Sequence, residues 1–264
     1  MLLLSHVSMA KAYPAIDIFW EKLLKKHTVS GVRSRIRTRL VDYQALSESQ
    51  TLNMLVRLIA SDTHRFNSET DRLAFHINAY NIAVIHAIIE SELYRYPLGS
   101  PDYMTAQKFM NSLSITIHGN SFTLVSLYQH IISTFNDPKI LFSLCNGTLS
   151  SPPLSPTAFT ESEITRQLDN QIYRFLANKK IGYHALKSSK KLFLSPLFQQ
   201  HSNYFHTGII GFLKEYSDTP NLTAYTIYNL PVNNHLNSRQ KLPKWVPEVT
   251  PSANTSASLI QLSP

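Results

Sequence analysis

Asp71–Ile89 reads DRLAFHINAYNIAVIHAII, and its interpretation decides the fold. Apolar side chains fall on nearly every face of the helix this stretch predicts: Leu73, Phe75, Ile77, Ile82, Val84, Ile85, Ile88 and Ile89. A helix apolar all round belongs in the centre of a domain. Arg72, His76, Asn78, Asn81 and His86 punctuate it too often for a bilayer-spanning segment. Asn78 and Asn81 stand i,i+3, on neighbouring turns. A buried amide is costly unless hydrogen-bonded. The pair is therefore expected to tie the helix to irregular backbone, with the Gly147–Pro153 loop the nearest candidate, or to floor a ligand pocket beside Tyr80.

Working outward, helices alternate with short β-prone runs. Pro14 to about His27 is amphipathic, as is Ser47–Ser61. Ser114–Leu124 carries Gly119-Asn120 between two β-prone runs and predicts a hairpin. Helices are expected at Ser126–Phe135, from Thr160 (a capping box with Glu163) to about Asn178, at Pro196–Phe205 and at Thr207–Tyr216. Ile140–Cys145, Leu192–Leu194 and Leu222–Leu230 read as strands or extended segments, and Gly147–Ala158, rich in Ser and Pro, as a loop. The expected class is α+β: a mainly helical single domain, residues 13–240, around a buried central helix with a small, short-stranded antiparallel sheet.

Composition limits the chemistry. The 264 residues are 43% hydrophobic and 16% charged, enough apolar material for a substantial core. Seven glycines form neither G-x-G-x-x-G nor a P-loop, which argues against the common nucleotide folds and leaves no cofactor implied. The single cysteine, Cys145, rules out an internal disulfide and a thiolate cluster. His86 with Glu90, and His201 with His206, lack the further ligands a metal site needs, so no metal is assigned. The net charge of +8 permits nucleic acid or an anionic surface as partner without favouring either. Partners therefore stay unknown.

The termini stand apart. Residues 1–12 end in Ala10-Lys11-Ala12 and read as the remnant of a truncated signal peptide, pointing to export or the periplasm ahead of the cytoplasm. Residues 241–264 read as a loose tail rich in Pro and Ser.

Several segments together resemble one family. Leu73–Asn81 (LAFHINAYN) is similar to the "AFWINxYN" motif of domain-of-unknown-function family 547, DUF547. Val41-Asp42-Tyr43 resembles its "VDY", and Ile117-His118-Gly119 through Leu124 its hairpin. Leu141–Leu154 (LFSLCNGTLSSPPL) resembles "HFALxCGxxSCPPL". Leu168-Asp169 with Phe175-Leu176, Leu194-Ser195 with Phe198 and Phe205, and Tyr228–Asn233 complete the series in order. The departures concern the polar types. The family's His falls on Leu141, its first Cys on Asn146 and its second on Ser151. Its Trp falls on His76, its Glu on Tyr128, and the Asp of its "DF" on Tyr204. Asn229 and Leu230 replace the Asp and Trp of "YDW". The resemblance implies a scaffold and no particular reaction.

Three functions follow as expectations. The first is a non-catalytic binding or scaffold protein, with Asn78, Asn81, Tyr80, Asn146 and Ser150 as ligand-binding candidates. The second is a cysteine- or serine-type hydrolase or transferase working from the 145–153 loop, with Cys145, Ser150 or Ser151 as nucleophile and His76 or His118 as base. The third is an anion-binding protein. Val32–Val41 (VRSRIRTRLV) alternates strictly, and as one strand it would place Arg33, Arg35, Arg37 and Arg39 on one face. Lys179, Lys180, Lys187, Lys190 and Lys191 form a second basic cluster, but few aromatics interleave with these charges, which argues against a platform that stacks single-stranded nucleic acid.

Overall fold

A computed structural model describes residues 16–61, 63, 65–95, 111 and 113–240. The segments read as a signal remnant and a tail lie outside these residues.

The central helix, here α4, runs Glu69–Glu90 over 22 residues. Its start is well specified: the Ser68 hydroxyl accepts from Asp71 N–H, and Glu69 and Asp71 complement the positive helix end. Every residue from Leu73 to Ile85 is buried. By length and composition α4 could cross a membrane, yet 83% of its most apolar stretch is buried inside the molecule, as in a core helix. It is packed by α1 (Ile16–His27), α2 (Tyr43–Ser47), α3 (Gln50–Ala60) and α5 (Leu124–Phe135). Three further helices follow: α6 (Ile164–Leu176), α7 (Pro196–Gln200) and α8 (Gly208–Tyr216). The class is α+β and mainly helical.

The strands form three small sheets among the described residues. β1 (Thr28–Arg33) pairs antiparallel with β2 (Ile36–Val41), and β3 (Ser114–Ile117) with β4 (Asn120–Thr123). In the third, β6 (Lys191–Leu194) lies antiparallel to β5 (Tyr183–Leu186) and parallel to β7 (Thr226–Asn229).

Three local expectations need correction. The Val32–Val41 stretch is no single strand. Ser34 and Arg35 both have positive φ, 50° and 61°, and turn the chain as a two-residue hairpin. Arg33 then pairs with Ile36, and Arg37 and Arg39 point to the opposite face. Ile140–Cys145 is no strand either. Pro138–Phe142 forms a 3₁₀ turn, because the Asp137 carboxylate caps Lys139 N–H and Pro138 suits the first turn. The Thr160/Glu163 capping box does not form. Gln167 takes that role, its amide oxygen accepting from Thr160 N–H at 3.0 Å and its nitrogen donating to the Ala158 carbonyl at 2.7 Å.

A C-terminal strap closes the structure. Val41 N–H donates to Asn237 O at 2.8 Å, and Asn237 N–H to Gly147 O at 2.9 Å. Leu149 N–H and Ser150 N–H donate to His235 O and Asn233 O. Residues 233–239 therefore link β2 to the loop that follows Cys145.

Candidate functional site: a neutral cleft under a clamped loop

Asn78 and Asn81 bracket one loop. The Asn81 amide donates to Ser143 O and accepts from Cys145 N–H, both at 3.0 Å. One turn earlier, Asn78 donates to Phe159 O at 2.8 Å and accepts from Phe159 N–H at 2.9 Å. Both side chains lie on residues only 2% exposed. A side-chain amide presents the same donor–acceptor pair as a peptide group, so each substitutes for a missing strand neighbour. Gln171 adds a bond to Pro153 O at 2.7 Å. The loop is thus fixed near both ends, at its middle and by the C-terminal strap.

Between this loop, α5, α7 and residues 231–234 lies a cleft of about 440 Å³, within the usual range for small-molecule sites. The loop contributes Leu144, Asn146, Thr148, Ser150, Ser151 and Pro152; α5 contributes Val125, Tyr128 and Gln129. Ser195, Pro196, Leu197, Gln200 and His201 form the opposite wall, with Pro231, Val232 and Asn234 at one side and Tyr80 of α4 bordering it. Among the described residues no Asp, Glu, Lys or Arg lines it.

The hydrogen-bonding state of the lining is uneven. Tyr80 is fully buried, yet its hydroxyl has no partner among the described residues. Burial raises its pKa well above the usual value, so it stays a neutral phenol. Its ring lies 5.8 Å from that of Tyr128, whose hydroxyl meets His201 Nε2 at 3.1 Å. Burial lowers the His201 pKa and raises that of Tyr128, so this pair is also uncharged near neutrality. Asn146 Oδ1 accepts from Thr148 N–H and Oγ1 at 3.0 and 2.8 Å. The Ser150 hydroxyl accepts from Asn233 N–H at 2.6 Å.

The proposed nucleophiles sit differently. Cys145 is 4% exposed and does not line the cleft. Its sulfur lies 3.5 Å from Ser151 Oγ and 3.9 Å from Asn237 Nδ2, and burial pushes the thiol pKa up. Ser151 does line the cleft, but its hydroxyl donates to Thr148 O at 2.9 Å. Among the described residues no imidazole bonds either group. His76 belongs to another cluster: Nδ1 meets Arg72 O at 2.7 Å, and the ring packs against Phe66, Phe75, Phe135 and His130. Desolvation lowers its pKa to about 4.

The arginines are dispersed. Arg33 Nη1 donates to Ser238 O and Gln240 O at 2.6 Å, holding the strap to β1. Arg39 Nε bonds Thr28 Oγ1 at 2.5 Å, while Arg35 and Arg37 are exposed. Among the described residues no three His, Cys, Asp or Glu side chains gather to hold a metal ion.

Tyr80, Asn146, Ser150 and Ser151, picked from the sequence, meet at the cleft; Cys145, His76 and the arginines do not. Tyr128 and His201 are partners that sequence reasoning left unassigned. Tyr128 did carry a signal, as the position where the family motif has Glu.

The fold and site define an α+β domain with a Ser/Pro loop pinned to a buried helix by two asparagines. Residues 64–176 match the model of DUF547, a protein of unknown function, which supports the resemblance carried by the motifs. The matched segment contains α4, the loop and α6, hence every side chain of the clamp. The cleft's other wall, from Ser195 onward, lies beyond it. No curated protein and no solved structure matches the chain.

Proposed function

We propose that the protein is a non-catalytic binding module whose cleft takes an uncharged small molecule bearing hydroxyl or amide groups. Tyr80 carries this reading. A buried hydroxyl without a partner costs about 1–3 kcal/mol, and this one belongs to a residue bordering a cleft with no ionised side chain. A ligand group bonding it would recover that cost. Asn146, Gln129, Gln200 and Asn234 supply planar amides around it, and Tyr128 with the prolines supplies apolar surface. An ionic ligand would enter such a site without a counter-charge, at a cost of several kcal/mol.

The Cys145–Ser151 contact is what favours the hydrolase or transferase alternative. Against it stand a thiol pKa raised by burial and a Ser151 hydroxyl committed to a carbonyl. A nucleophile needs the reverse: a lowered pKa or a base in reach.

Saturation-transfer NMR tests the reading with cellobiose, diacetylchitobiose and N-acetyl-alanine amide, against glucuronate and glucose 6-phosphate. Uncharged probes should receive saturation and the anions should not. Asn146→Leu with Gln200→Leu should abolish the signal. Tyr80→Phe should weaken binding while raising the stability of the free protein by about 1 kcal/mol, because an orphan group is removed. Preference for the anions, or a Tyr80→Phe variant less stable than wild type, would refute it.

A further inference from the structure

The three-stranded sheet has a second face, away from the cleft argument. Strand alternation turns Tyr183, Ala185, Leu192, Leu194 and Ile227 to the interior. The register sets two rows on the outer face. One is Leu186, Lys191 and Thr226; the other is His184, Phe193 and Tyr228. Phe193 and Tyr228 stack at 5.3 Å with 26° between planes, and His184 meets Phe193 edge-on at 6.2 Å. None of these outer side chains joins the hydrophobic core, and all three rings are only half-buried.

A lysine sits on one of these rings, and another on the buried Tyr225 beside them. Lys191 Nζ lies 5.7 Å from the Tyr228 ring centre, and Lys190 Nζ 5.0 Å from that of Tyr225. Lys187 occupies the same β5–β6 turn, and Lys179 and Lys180 precede β5. No Asp or Glu occurs in Lys179–Leu194 or Asn221–Leu230. Along the sequence, few aromatics interleave with these lysines. The interleaving arises from the sheet, which brings Tyr228 of β7 beside Lys191 of β6.

We propose that this face binds single-stranded nucleic acid. Lysines at a sheet edge would attract any polyanion, but a row of half-exposed rings among them suits a polyanion with unpaired flat bases. A duplex hides its base faces and offers only phosphates. Four-residue strands span about 13 Å, room for two or three nucleotides. The chain's net charge of +8 agrees in sign.

Fluorescence anisotropy on the full chain tests this with labelled dT15, an abasic oligonucleotide of equal length, a 15-base-pair duplex and vesicles containing phosphatidylglycerol. dT15 should bind at low salt, at least tenfold more tightly than the abasic chain. Phe193→Leu and Tyr228→Leu should each weaken dT15 about tenfold and leave abasic binding unchanged. Lys187→Ala, Lys190→Ala and Lys191→Ala combined should lower the log–log salt slope by about 2. Asn146→Leu with Gln200→Leu in the cleft should leave dT15 binding unaltered, which separates this site from the cleft. Equal binding of dT15 and the abasic chain would overturn the proposal, as would tighter duplex or vesicle binding. So would intact dT15 affinity in ring variants whose circular dichroism matches wild type.

Discussion

Replacing Asn81 by Leu isolates the clamp. Leu approximates Asn in size, so the cavity contribution is small. What is lost are two hydrogen bonds of 3.0 Å each, to Ser143 O and Cys145 N–H. Both backbone groups belong to residues no more than 4% exposed, so neither is readily rehydrated in place. Each orphan costs about 1–3 kcal/mol, and the pair about 3–5 kcal/mol, a large share of the roughly 5–15 kcal/mol that holds a domain folded. With a urea slope of about 2–3 kcal/mol/M, the midpoint should fall by roughly 1–2 M. Asn78→Leu should behave similarly, since it strips both polar groups of Phe159. The double variant should cost at least 0.5 kcal/mol less than the sum of the singles. Once one end of the loop is free, the other gains access to water, and coupled sites are not additive. A midpoint within about 0.3 M of wild type for Asn81→Leu, or strict additivity of the pair, would refute the clamp.

His76 should make stability acid-sensitive. Its folded pKa of about 4 lies below the usual 6.5, so between these values the unfolded chain binds a proton that the folded chain does not. Stability should therefore decline as pH falls through 6.5 toward 4, by about 3 kcal/mol in total for this residue. Urea midpoints at pH 7 and pH 4.5 should lie closer together in His76→Phe than in wild type; an unchanged pH dependence would count against desolvation as the cause. Gly147 has φ +82°, and a Cβ there would stand 2.5 Å from Ile88 Cδ1. Gly147→Ala should cost about 1–3 kcal/mol by thermal melt, and a neutral result would mean the loop has another conformation. Iodoacetamide should leave Cys145 unmodified in the native protein and alkylate it in urea. In a Cys145→Ala background, Asn146→Cys should be alkylated natively; equal protection of both positions would contradict their placement on opposite sides of the loop wall.

The helices were legible because their signals are local. A continuous apolar run predicts α4, and burial from Leu73 to Ile85 follows from it. The asparagines were legible as a pair needing partners, but not which backbone they serve. That depends on where residues 143–159 pass, a long-range matter. The Arg stretch failed for a different reason. Alternation has the same period on both arms of a hairpin, and Ser34-Arg35 carries neither Gly nor Asn to mark the turn. Ile140–Cys145 is apolar enough for a strand, but Asp137-Pro138 immediately before it starts a turn instead. The cleft was legible in part: Asn146, Ser150 and Ser151 were flagged by the loop motif, whereas Tyr128 and His201 meet across 73 positions.

The departures from the family motif acquire a physical meaning once the loop is placed. The motif resemblance sets its two cysteines on Asn146 and Ser151, both on the cleft wall here. It sets its histidine on Leu141, which is 1% exposed and part of the core. The thiol of this chain stands one position earlier, at Cys145, and that shift takes it from the cleft to the interior beside Tyr43 and Tyr80. A thiol moved off the wall and an acid position filled by Tyr128 act in one direction. Each removes an ionisable group from the cleft. The clamp is unaffected by them, since Asn78, Asn81 and Gly147 make their contacts through amide and backbone groups. A cleft neutralised at Asn146, Ser151 and Tyr128 around an unaltered clamp agrees with the binding role proposed above. Loss of all constraint would not spare the glycine at φ +82°, nor the two amides on which the loop's geometry depends.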